Sequence, residues 1–306
     1  MADLAEQRGI ATEVRAIIED YSEPELITLQ EPGTGVEALA LITKDGAKPV
    51  PSEVFDEYRR SPSARHGTAE LTAIESLIDH VNRFKDADSA LFAVDDRSKP
   101  SITAVLDYHR AGAEADPRFG LHRSLFQFPL SDEWKAWIKS DGEAFSMGEF
   151  AAFLEDRIID VLDLIPGEDS LPEEMQRFVN TVGGSIASPS KLIELSVGLK
   201  VNERSAVKEA INLKSGEAQV QFVAEHVDDA GQPLRVPGLF LIGIPVFNQG
   251  PIYRLAARLR YRKTPGGLVF FYQLWRADRT FDHSFREACE RVRVETDLPL
   301  LFGKPE

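Results

Sequence analysis

The sequence predicts an α+β protein, with a mixed amino-terminal half of helices and hairpins and a largely antiparallel, strand-rich carboxy-terminal half closed by a terminal helix. Three observations support this. The apolar period changes from helical to alternating near Lys191. From there strands follow one another and a helix comes last, unlike the strict alternation of a parallel α/β sheet. With 306 residues, 43% of them apolar, the chain has enough material for one large or two moderate domains. Three regions are expected: 1–60 as helix and extended arm, 61–185 as mixed helix and hairpin, and 186–306 as the strand-rich part with a basic hairpin and the last helix.

The elements are read in order. Residues 4–20 carry Ile10, Val14, Ile17 and Ile18 among Glu and Arg, an amphipathic helix pattern. Breaks at Pro24, Pro32, Gly33, Gly35, Gly46, Pro49 and Pro51 turn the following stretch into an arm with two short strands, 26–29 and 38–42. Leu71, Ile74, Leu77, Ile78 and Val81 predict a helix over 68–84 with Thr68 as its cap. Strands at 90–94 and 102–109 form a hairpin, and 123–128 is a further strand. Ser131 and Trp134 open a short helix. Helices over 148–165 and 172–182 end at Pro166-Gly167 and Gly183-Gly184. Strands are then expected at 192–201, 206–213, 218–227, 239–247, 252–262 and 268–275, with a helix at 281–294.

Charge is segregated along the chain. The formal net charge is −15, yet residues 230–277 contain no Asp or Glu and hold Arg235, Arg254, Arg258, Arg260, Arg262, Lys263 and Arg276. Those seven cations leave −22 for all other residues. On a period-two strand Arg254, Arg258, Arg260 and Arg262 share one face, and Tyr253, Leu255, Ala257, Leu259 and Tyr261 the other. Thr264-Pro265-Gly266-Gly267 turns the chain back. Arg254, Arg258, Arg260, Arg262, Lys263 and Arg276 are therefore the candidate anion- or partner-binding residues, because a guanidinium offers a planar fork of donors to oxyanions. The competing account pairs them with acids of the same chain, such as Glu217, Glu225, Asp228 and Asp229. An acidic body repels DNA at long range, so nucleic acid would depend on this patch and weaken steeply with salt.

Several spaced motifs resemble the YfdQ-like family of phage and prophage proteins. They are Val81-Asn82-Arg83-Phe84-Lys85, Ala104-Val105-Leu106-Asp107-Tyr108-His109, Trp134-Lys135-Ala136-Trp137, Phe150-Ala151-Ala152-Phe153-Leu154-Glu155-Asp156, Arg258-Leu259-Arg260-Tyr261-Arg262 and Thr296-Asp297-Leu298-Pro299 with Phe302-Gly303-Lys304-Pro305. The resemblance runs from about His66 to Pro305. It departs at Asp297, where the closing turn would carry Gly. It implies a virus-derived cytoplasmic protein and supplies no catalytic residues.

The residues themselves offer little chemistry. Asp107 and His109 share a strand end, and with His122 they are the candidate metal ligands, although their spacing matches no strong metal signature. Glu149, Asp156, Asp160 and Asp163 fall along one helix stripe, which reads as a solvated face. Gly183-Gly184-Ser185 lacks the flanking glycines of a nucleophile elbow, and Gly33-Thr34-Gly35 lacks the third glycine and helix of a dinucleotide site. No Walker-type sequence occurs. Cys289, the single cysteine, sits in a helical pattern as a buried structural thiol and excludes an intramolecular disulfide. Trp134 and Trp137 form a ridge that either packs in the core with Phe145 and Phe150 or, if exposed, anchors an interface.

No apolar run approaches the ~20 residues of a membrane helix, and the chain start lacks a signal-peptide pattern, so a cytoplasmic protein without membrane contact or cofactor is expected. The leading expectation is a non-enzymatic homo-oligomer, assembled through the basic hairpin and the amino-terminal arm into a ring, shell or filament. The alternative binds single-stranded nucleic acid on the arginine face, with Tyr253, Tyr261 or Tyr272 stacking on bases. A metal-dependent enzyme built on Asp107 and His109 is the third.

Overall fold

The structure, a computed structural model, describes residues 12, 24–30, 37–43, 45–51, 54, 58–62, 64–113, 115–164, 170–182, 186–201, 207–212, 217–222, 234–265 and 267–305. The helix expected over 4–20 lies outside them except for Thr12, as do Gly33-Thr34-Gly35 and Gly183-Gly184-Ser185. The chain divides into two compact units, Met1–His66 and Gly67–Glu306. In the first, β1 (Glu25–Gln30), β2 (Glu37–Thr43) and β3 (Gly46–Val50) form an antiparallel meander. β3 has no alternating pattern of its own, and pairing with β2 from Leu39↔Val50 to Thr43↔Gly46 makes it a strand. Pro49 is tolerated there because β3 is an edge.

The second unit is built on two five-stranded sheets. One has the order β16-β5-β6-β7-β4, comprising β4 (Gly67–Leu71), β5 (Ala90–Val94), β6 (Ser101–Val105), β7 (His122–Gln127) and β16 (Leu300–Phe302). Its helices are α1 (Ile74–Phe84), which packs against β7, and α6 (Ala277–Thr296), which packs against α1. The helix expected from Thr68 therefore starts later. Gly67–Leu71 instead pairs in parallel with β7, and Ala73 caps α1 without a side-chain bond. A backbone ladder offered by β7 outweighs the local helical pattern.

The other sheet has the order β8-β15-β14-β13-β9, with β8 (Phe145–Ser146), β9 (Ile186–Ala187), β13 (Leu239–Pro245), β14 (Ile252–Thr264) and β15 (Gly267–Leu274). Around it stand α2 (Asp132–Lys139), α3 (Met147–Asp156), α4 (Glu173–Val182) and α5 (Pro189–Val201), and β10 (Val207–Asn212), β11 (Ala218–Phe222) and β12 (Leu234–Val236) form a small separate sheet. Two expectations change here. Residues 192–201 are helical, not extended, because Leu192, Leu195 and Leu199 bury one helical stripe as α5 packs on α3. The helix expected over 148–165 ends at Asp156, and a 3-10 turn at Ile158–Asp160 leads to a bridge between Val161 and Ile242.

One core holds buried side chains from Leu77 to Leu298, so the mixed and strand-rich regions share it. Trp134 and Trp137 lie inside it, which corrects their candidacy as an interface: Trp137 packs on Phe153, Phe240 and Tyr272, and Trp134 on Phe281. After α6 the chain returns to the first sheet, where β16 pairs in parallel with β5. Asp297 makes that turn at φ 51° and ψ 37°. This left-handed backbone favours glycine, and aspartate is among the few other residues that adopt it readily. Among the described residues no helix is long and apolar enough to cross a membrane.

Candidate functional site

The expected two-faced strand is present. On β14 the odd positions Leu255, Ala257 and Leu259 enter the core, and Arg254, Arg258, Arg260 and Arg262 occupy the opposite face. β15 sets Gln273 opposite Arg258, Phe271 opposite Arg260 and Val269 opposite Arg262. Tyr272 faces Leu259 on the core side, is buried, and donates its hydroxyl to the Trp137 carbonyl at 2.6 Å. This corrects the placement of Tyr272 as a stacking residue for nucleic acid. Phe271 is the ring that shares the arginine face.

The face has two parts. Around Ala256 it is covered, because Met175 and Phe178 of α4 pack on Leu241, Ala256 and Trp275. Here Arg254 donates to the Ser170 carbonyl at 3.3 Å and Arg276 pairs with Glu174. Past Arg258 the face is open. Arg260 meets Gln273 at 3.3 Å, and among the described residues no carboxylate pairs with Arg258, Arg260, Arg262 or Lys263. Of the acids expected to neutralise them, Glu225, Asp228 and Asp229 lie outside the described residues.

β13 pairs with Ile252 to Arg258, and Leu259 N–H reaches the Gly238 carbonyl at 3.0 Å. Beyond that point no described strand continues the sheet on this side. Strand alternation then turns the backbone groups of Tyr261 and Lys263 toward that edge.

The candidate metal ligands do other work. Asp107 accepts the amides of Leu121 and His122 at 3.0 and 2.9 Å, which ties β6 to the start of β7. His109 accepts the Arg118 amide at 3.1 Å, and the His122 ring lies 5.4 Å from that of Phe84. Among the described residues no group of three or more His, Cys, Asp or Glu is placed to hold a metal. Asp160, expected on a solvated helix face, is instead half-buried against Trp137.

Sequence reasoning missed a cleft of about 600 Å³ between the start of α1, the 247–251 loop and α6. Phe126, Phe128 and Phe247 give it an aromatic floor. Its rim holds the Glu75–Arg291 ion pair at 2.9 Å and the Tyr253 hydroxyl, which donates to Glu287 at 2.6 Å. Burial, with the Glu287 carboxylate against the hydroxyl, pushes Tyr253 up to about 12. Hydrogen bonds from its own amide and from Arg291 hold Glu75 below its usual carboxylate range. Gln249, at φ 61°, turns the loop over the cleft. No local motif announces this site, because its residues come from four separated segments.

Residues 37–305 match the family model described as "Uncharacterized conserved protein (DUF2303)", and the chain belongs to that family. No curated protein and no solved structure matches.

Proposed function

We propose that this member of the family is a phage-derived cytoplasmic protein, as its YfdQ-like motifs imply, and that it acts by assembling with further copies of itself rather than by catalysis. The carrying observation is the open end of the β14–β15 hairpin, where Arg258, Arg260, Arg262 and Lys263 have no carboxylate partner among the described residues. The rest of the sequence carries −22, so the surface best matched to this face belongs to another copy of the chain. A two-fold contact centred on this row would set arginine against arginine. In this reading the contact is heterologous, basic hairpin of one copy on the acidic surface of the next, and builds a ring, shell or filament. The Met1–His66 unit supports the arm in this reading, since Leu26 and Leu29 of β1 stand exposed there.

Single-stranded nucleic acid is the second reading and draws on the same guanidiniums. It has less support, because Tyr272 is buried and Tyr253 and Tyr261 point to the core side, leaving Phe271 to stack. Light scattering on size-exclusion eluate at low and high salt, with absorbance at 260 and 280 nm, separates the two. A nucleic-acid-free assembly that dissociates with salt is expected. A monomer at micromolar concentration in low salt would overturn the assembly reading, and a monomer carrying nucleic acid would replace it with the second.

A further inference from the structure

The cleft between the start of α1, the 247–251 loop and α6 has fixed walls and an unbalanced charge. Its loop wall is tied down: the Asn248 amide donates to the Pro129 carbonyl at 2.8 Å, and the Gly250 amide to the Phe247 carbonyl at 3.0 Å. Between them Gln249 keeps a left-handed backbone at φ 61°, which is costly for a residue other than glycine and recurs where loops clamp ligands. Beneath, the rings of Phe126, Phe128 and Phe247 interlock, with Phe128 4.8 Å from Phe126 and 5.2 Å from Phe247.

One guanidinium serves two carboxylates here. Arg291 pairs with Glu75 at 2.9 Å and with Glu295 at 2.8 Å. That leaves Glu287 uncompensated: among the described residues no lysine or arginine pairs with it, and His283 Nε2 stands 3.9 Å away, beyond hydrogen-bond reach. Glu287 is nevertheless held in place. The Tyr253 hydroxyl donates to its Oε2 at 2.6 Å, and the buried Ser284 bonds to the same hydroxyl. The acceptor capacity of a carboxylate exceeds one hydroxyl, so Glu287 can take a further donor from the cleft.

We propose that this cleft binds a small organic ammonium ion, a primary amine carried on a flat apolar body. The ammonium donates to Glu287, and the body lies on the phenylalanine floor, whose aromatic rings also favour a cation. A volume of about 600 Å³ fits such a ligand. An anion would meet three carboxylates and an arginine already engaged by two of them. A metal ion would lack ligands, since among the described residues no group of three or more His, Cys, Asp or Glu is placed to hold one. The site is separate from the arginine face of β14 and does not depend on assembly.

Titration calorimetry at constant ionic strength with phenethylamine, phenethyl alcohol, hydrocinnamate and butylamine tests this. Saturable one-to-one uptake of phenethylamine is expected, with the alcohol, the carboxylate and the ringless amine each at least about tenfold weaker. Glu287→Gln is expected to weaken phenethylamine about tenfold or more. Tyr253→Phe, which releases the Glu287 carboxylate from its donor, is expected to weaken it several-fold. Glu143→Gln removes the same charge from an exposed position ahead of β8 and should leave binding unchanged. Thermal melts show that each variant folds, and the ligand series on the parent chain decides by itself. The proposal is overturned if phenethylamine does not saturate below about 10 mM, if the alcohol, the carboxylate or butylamine binds equally, or if Glu287→Gln binds as the parent chain does.

Discussion

The indole Nε1 of Trp137 donates to Asp160 Oδ2 at 2.8 Å and ties α2 to the 3-10 turn after α3. Burial raises the Asp160 carboxyl above its ordinary value, while the Trp137 bond and the nearby Arg157 act the other way. A raised native pKa means that the folded state holds the proton longer, so this group's contribution declines as pH rises from about 3.8 through the native value. Asp160→Asn, which keeps an acceptor without the charge, is expected to match or exceed the parent stability at neutral pH. Asp160→Ala leaves the buried indole without a partner and is expected to cost about 1–3 kcal/mol. Urea unfolding at pH 4 and pH 7 measures both. An alanine variant as stable as the parent would show that the bond contributes nothing.

Cys289 is buried in α6, and burial, with Asp95 adding to it, pushes its thiol up to about 12. The thiolate is the reactive form, so the native protein at pH 8 should resist a thiol reagent over hours and react at once in denaturant. Rapid native labelling would mean that α6 opens locally.

Gly243 sits in β13 where a Cβ would meet Leu162 Cδ2 at 2.7 Å and Ile252 Cγ2 at 3.3 Å. Gly243→Ala is expected to destabilise by about 1–2 kcal/mol through overpacking. Adding Leu162→Ala should cost less than the two single changes together, since it vacates the contested space. Simple additivity in a double-mutant cycle would place the cost elsewhere.

Arg260 and Arg262 are exposed and pair with no carboxylate among the described residues. The double change Arg260→Glu and Arg262→Glu should therefore shift unfolding free energy by no more than ~0.5 kcal/mol. On the assembly reading it should also abolish the large low-salt species. Loss of stability along with assembly would assign the arginines to the chain's own fold.

Much of the architecture was readable because it is written in local periodicity. The alternation of β13, β14 and β15, the Ser131 cap of α2 and the long apolar stripe of α6 each follow from residues within one element. Elements decided by a distant partner were not readable: β3 needs β2, β4 needs β7, and α5 takes its helical state in packing against α3. The same division runs through the sites. The arginine row was visible along β14, but the cleft above Phe126 and Phe247 draws on segments far apart in sequence.

By itself the sequence determined the α+β class, the segregation of charge and the two faces of β14, since composition and period-two alternation need no knowledge of neighbours. Tertiary structure alone decided which cations are neutralised. Glu174 reaches Arg276 because α4 packs over Ala256, and nothing comparable covers Arg260 among the described residues. It also decided that Trp137 is core and that Asp160 is half-buried. Burial and ion pairing depend on which surfaces meet, and those meetings join residues that lie dozens of positions apart in the chain.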